Sequence, residues 1–106
     1  MWRRSVVFMV MVLGLVACAP EETPVGATIT IAGLSFGEPV TIEAGATLVI
    51  RNDDTLPHTW TATDGSFDSG NLDPGAQFTH VFTEPGEYPF VCELHPTMTG
   101  TVTVTG

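Results

Sequence analysis

The sequence predicts an all-β domain, a sandwich or barrel of roughly seven or eight short strands in about 80 residues. Three observations carry that expectation. Apolar residues recur with period two, the runs are short and punctuated by Gly, Pro and Asp, and no window shows the 3.6-residue period of a helix.

Ahead of the domain, Arg3 and Arg4 precede an apolar run from Val6 to Val16 that only Gly14 interrupts. That is the form of an export leader spanning residues 1–17. The run is about half of the ~20 residues a membrane-spanning helix needs. Leu15-Val16-Ala17-Cys18 resembles the bacterial lipobox, which implies cleavage before Cys18 and lipidation of its sulfur. Residues 18–26, rich in Pro and Glu, read as a short linker. Anchoring through more than one acyl chain would hold the domain, residues 27–106, beside a membrane.

The strands follow in order. Ile29 and Ile31 alternate with threonines, Val40 and Ile42 flank Thr41, and Leu48 and Ile50 share a face. His58, Trp60 and Ala62 have one parity; so do Phe78, His80 and Phe82, then Tyr88, Phe90 and Cys92, then Val102 and Val104. Asp73-Pro74-Gly75-Ala76 and Glu84-Pro85-Gly86-Glu87 place Pro and Gly as type II turns require. Thr63 to Asn71 reads as a polar loop around Phe67. Pro89 lies within a strand pattern and cannot donate to a ladder, so its strand should be at an edge or bulged there.

All twelve acidic residues follow Cys18, whereas only Arg51 of the basic ones does, so a processed chain carries one positive charge against twelve negative, a net of −11. Such acidity excludes nucleic acid as a partner and favours a basic protein surface. With Cys18 assigned to lipid, Cys92 is left alone where thiols normally pair, and metal ligation gives it an occupation.

Cys92-Glu-Leu-His95-Pro-Thr-Met98 puts three metal-binding side chains within seven residues. Thiolate and thioether are soft and suit Cu(I), while imidazole serves both oxidation states of copper. A trigonal His-His-Cys set with a long axial Met compromises between the geometries those states prefer. The remaining imidazole comes from His58 or His80. Both have core parity, but the mid-strand position of His80 favours a packing role.

These residues resemble the blue copper cupredoxins, most closely the plastocyanin and amicyanin group. The resemblance rests on Asn52-Asp53, Pro57-His58, Phe67-Asp68-Ser69-Gly70 and Gly86-x-Tyr88-x-Phe90-x-Cys92-x-x-His95-x-x-Met98. It implies a Greek-key sandwich with one type 1 copper, His58 and His95 as imidazole ligands, Cys92 as thiolate and Met98 as the axial ligand. It also implies that Asn52 ties the ligand loops together near the sulfur. Ile50, Leu94, Thr97 and Pro89 depart from the usual pattern, yet none removes a ligand. Leu56, Pro57, Leu94 and Pro96 form a small apolar collar.

One-electron shuttling without substrate chemistry is the function this implies, because protein groups fill every coordination position. The expected partners are redox proteins such as a c-type cytochrome or a periplasmic dehydrogenase, met by a lipid-anchored monomer on the exported side of a bacterial membrane. A copper chaperone or scavenger of the same fold is the alternative, though the domain lacks Met-rich or His-rich tracts. A zinc-stabilised or metal-free adhesion sandwich is a third reading, in which Met98 has no use.

Overall fold

The computed structural model describes residues 25–106, and the leader and Cys18 lie outside the described residues. Among the described residues seven strands are seen: β1 Val25–Ile31, β2 Val40–Glu43, β3 Thr47–Asn52, β4 Thr61–Ala62, β5 Gln77–Val81, β6 Gly86–Cys92 and β7 His95–Thr105. They form a three-stranded sheet ordered β1-β3-β5 and a four-stranded sheet ordered β2-β7-β6-β4. β1 runs parallel to β3 and β2 parallel to β7, while the remaining pairs are antiparallel. The all-β sandwich is as the sequence implied.

Strand pairing starts at Val25, slightly inside the expected linker, with a register shift between Val25 and Ala27. At Gly26 a Cβ would stand 2.7 Å from that of Ala46, so only glycine lets β1 begin there without displacement.

The period-two faces meet between the sheets. Ile29, Ile31, Leu48 and Ile50 come from the smaller sheet, and Ile42, Phe90, Cys92, Val102 and Val104 from the larger; all are buried. Phe90 crosses Gly100 on the neighbouring strand so closely that a Cβ there would sit 2.5 Å from the ring. Gly100 therefore makes room for Phe90, which also meets Phe36 edge-on at 4.8 Å.

Of the two expected turns, one forms. Ala76 N–H donates to the Asp73 carbonyl at 2.9 Å, with Gly75 at φ 89°, as a type II turn requires. Glu84 to Glu87 does not close that way: Gly86 has φ 151° and already opens β6. The Glu84 carbonyl is taken instead by the Tyr88 hydroxyl at 2.6 Å, which turns the chain from further along. Pro89 pairs with Thr101 inside the β6–β7 ladder. Its carbonyl accepts from Thr63 N–H at 3.1 Å, on the flank where β4 has just ended. The proline nitrogen faces that flank and not β7, so its missing N–H takes no bond from the β6–β7 ladder, and the bulge in β6 falls between Val91 and Cys92 instead.

The expected polar loop folds back on the segment before it. Thr61 bridges Asp68 and His58 bridges Leu72, and Phe67 stacks on Trp60 at 4.1 Å. Phe82 and His80 complete this aromatic cluster, His80 lying 4.7 Å from Phe82 and 5.7 Å from Trp60. Partial burial disfavours the charged imidazole and lowers the His80 pKa below its ordinary value.

Because the folded pKa of His80 is lower than the unfolded one, the unfolded chain binds protons first as pH falls below about 6.5. Stability should drop through the window between that value and the folded pKa. His80→Phe should shallow the fall in Tm between pH 7.5 and 5 relative to wild type; parallel curves would show that His80 is not desolvated.

Candidate metal centre

The spacing of Cys92 and His95 is explained by the hairpin they close. β6 ends at Cys92, β7 opens at His95, Glu93 and Leu94 make the turn, and Cys92 and His95 are cross-strand partners. Directly opposed residues present their side chains on one face, so Cys-x-x-His at a hairpin end delivers sulfur and imidazole together. Met98 follows on β7 with the parity of Val102 and Val104, and like them it is buried.

His58 arrives from the other segment. It is fixed by two backbone hydrogen bonds with Leu72, at 3.1 and 2.7 Å. Its Nδ1 lies 3.6 Å from Cys92 Sγ, and His95 Nδ1 lies 3.7 Å from the same sulfur. The donor atoms of His58, Cys92 and His95 all fall within 4.8 Å of one another. His58 and Cys92 are fully buried, whereas His95 is half-buried. His80 does not join them; it stays in the aromatic cluster.

What ties the two segments together at the sulfur is Thr59, a residue that sequence reasoning passed over. Its N–H donates to Cys92 Sγ at 3.3 Å, and its hydroxyl accepts from Glu93 N–H at 2.8 Å. The Thr61 hydroxyl lies 3.0 Å from that of Thr59 and donates to Asp68 Oδ1 at 3.1 Å. Since each hydroxyl has one proton, Thr59 donates to Thr61, and a single directed chain runs from Glu93 to Asp68.

Asn52, expected beside the sulfur, acts further back. Its side-chain amide donates to the carbonyls of Leu56 and Leu72, both at 2.8 Å, while its oxygen accepts from Asp54 N–H at 2.9 Å. Asn52 is completely buried, and its three bonds shape the loop that delivers His58. It stands at the end of β3.

Asp54 is the second residue not foreseen. Its Oδ2 lies 2.9 Å from His58 Nε2, the ring nitrogen remote from the sulfur. Leu34 N–H, Nε2 of His58 and Thr55 N–H together hold the Asp54 carboxyl below the usual carboxylate range.

A buried sulfur with two imidazoles and a thioether, all at one end of a two-sheet sandwich, is the donor set of a mononuclear type 1 copper site. Soft sulfur ligands select copper in its lower oxidation state, and the imidazoles retain it in the higher. The chain belongs to the cupredoxin-like family: residues 5–104 match the Cupredoxin-like domain.

Among curated proteins it is similar to amicyanin-alpha of Methylorubrum extorquens, with 32% identity over 93 residues, covering 81% of this chain and 78% of that protein. Among solved structures it is similar to a purple cupredoxin from Nitrosopumilus maritimus, at TM-score 0.64 and 32% identity over 74% of this chain and 99% of that one. It also resembles a copper-containing nitrite reductase from Thermus scotoductus, at TM-score 0.76 and 25% identity. There 87% of this chain corresponds to only 25% of the reductase chain.

Thr59→Val keeps the backbone N–H on the sulfur but strands Glu93 N–H and removes the link to Thr61. Losing a hydrogen bond of this kind costs about 0.5–1.5 kcal/mol net. Chemical denaturation of the metal-free protein should show a loss of that size, and an unchanged midpoint would remove Thr59 from the account.

Proposed function

We propose that this chain is an exported, membrane-anchored carrier of single electrons, holding one copper between His58, Cys92, His95 and Met98. The observation that supports this most is the convergence of three donor atoms within 4.8 Å around a buried, unpaired Cys92. Bound copper supplies the one-electron couple. The protein supplies a donor set assembled from two segments that hydrogen bonds and packing hold in place, which keeps reorganisation small. Four side chains fill the coordination positions and leave none for a substrate, so the chain is read as a carrier and not an enzyme.

His95 is the ligand nearest water. Leu56 and Leu94 are exposed, as are Pro57 and Pro96, and they offer the apolar collar through which a redox partner would approach. Around it the domain is acidic, which suits a partner with a basic face, such as a c-type cytochrome or a periplasmic dehydrogenase. Amicyanin-like relatives support electron carriage of this kind. Residues 1–17 serve as leader, Cys18 as the lipidated anchor and the residues up to Gly26 as the tether; among the described residues no helix is long and apolar enough to cross a membrane.

The test is spectroscopic and kinetic. Cu(II) added to the protein should give an intense blue colour at one copper per chain that bleaches on reduction, and Cys92→Ser should fold but stay colourless. Electron exchange with a basic c-type cytochrome should slow as added salt shortens the Debye length from about 10 Å at 0.1 M. Cys18→Ser should move the protein from the membrane fraction to the soluble one. A blue Cys92→Ser protein would refute the ligand assignment, a rate flat across salt would refute acidic steering, and a wild type already soluble would refute the anchor.

A further inference from the structure

His58 presents Nδ1 to the sulfur side of the site and Nε2 to Asp54. Only a neutral ring protonated at Nε2 leaves Nδ1 free to bind metal, so the group facing Nε2 decides whether His58 is ready. That group is a carboxylate with 13% side-chain exposure, against a ring with none.

Its placement is over-determined. Asp54 Oδ2 takes both His58 Nε2 at 2.9 Å and Leu34 N–H at 3.0 Å, Oδ1 takes Thr55 N–H at 2.8 Å, and the backbone N–H is held by Asn52. Leu34 sits in a two-residue hairpin turn at φ 59°, beside Gly33 at φ 58°, with Ala32 and Ser35 exchanging both backbone bonds. A left-handed Leu is strained, and it aims its N–H at the carboxylate. Two segments, the Leu34 turn and the 52–58 stretch, thus converge to hold one oxygen against the outer nitrogen of one histidine.

We infer that Asp54 is a positioning residue which fixes His58 as the Nε2–H tautomer and, as an anionic hydrogen-bond acceptor, makes its Nδ1 a stronger donor that favours Cu(II) over Cu(I). The inference rests on the copper reading above. An imidazole whose N–H is shared with a carboxylate carries more electron density on its other nitrogen, and the harder, more highly charged ion gains more from it. The potential is therefore set lower than a neutral acceptor at this position would set it.

Two variants separate charge from geometry. Asp54→Asn can keep its oxygen on His58 and Leu34, but its NH2 then faces Thr55 N–H, itself a donor, so it gives up the exposed Thr55 bond and the charge while keeping the acceptor on His58. Asp54→Ala loses charge and acceptor alike. In the metal-free protein at pH 8, nitrogen NMR should show His58 held as Nε2–H in wild type and Asp54→Asn, but mixed between tautomers in Asp54→Ala.

In the copper-loaded protein, Asp54→Asn should remain blue while its preference for Cu(II) falls about tenfold, a rise in midpoint potential of about 59 mV for a one-electron couple. A blue wild type whose Asp54→Asn variant has an unchanged potential, or whose Asp54→Ala variant keeps a pure Nε2–H ring, overturns this inference alone. A wild type that never turns blue overturns the copper reading and this inference with it.

Discussion

The hydrogen bonds that join Thr59 to Cys92 and Glu93 are the constraint on which the site depends. The donors come from two stretches of chain about one-third of its length apart, and nothing covalent connects them near the sulfur. Thr59 N–H on Sγ and Glu93 N–H on the Thr59 hydroxyl fix one stretch against the other. The directed chain through Thr61 to Asp68 extends that grip to the folded-back loop, where Ser69 Oγ accepts from Trp60 N–H at 2.9 Å. A backbone N–H on the sulfur also spreads the charge of a thiolate, which favours the more electron-rich state of a bound metal. It opposes the bias that Asp54 introduces through His58, so the two contacts tune one couple from opposite sides.

Beneath the site lies an aromatic floor. Trp60 is wholly buried, with Phe67 stacked on it and Phe78, Phe82 and Phe90 at 5.6–6.3 Å. Among the described residues its indole N–H has no hydrogen-bond partner, and ring packing surrounds it. Because Trp60 is two residues from His58, that packing also stiffens the segment that carries the ligand. Rigidity at the base and a half-buried His95 at the rim are what a carrier needs: little rearrangement on electron transfer, and one ligand edge close to a partner.

Period-two parity made most of the fold legible. Ile29 with Ile31, Leu48 with Ile50, Phe90 with Cys92 and Val102 with Val104 face the core as alternation requires. Parity could not find Phe36 or Leu72, which are buried from irregular segments where no alternation signals direction. The Pro-Gly signal read the turn at Asp73 correctly and misread the one at Glu84, because a side chain four residues on competed for the same carbonyl. Thr59 and Asp54 escaped for a related reason. A threonine in a Thr-rich strand and an aspartate in an Asp-Asp turn look ordinary, and their roles exist only once Cys92 and His58 have been brought beside them. Position next to a ligand, and four residues before one, was the only signal available.

The central claim is that protein hydrogen bonds, not the metal, assemble the site. Crystal structures of the metal-free and Cu(II)-loaded protein test it directly. The account predicts that His58 Nδ1 and Cys92 Sγ superpose to within about 0.5 Å between the two, with the Thr59 bonds intact in both. Donors that spread by on the order of 2 Å without copper, with Thr59 released from the sulfur, would contradict it.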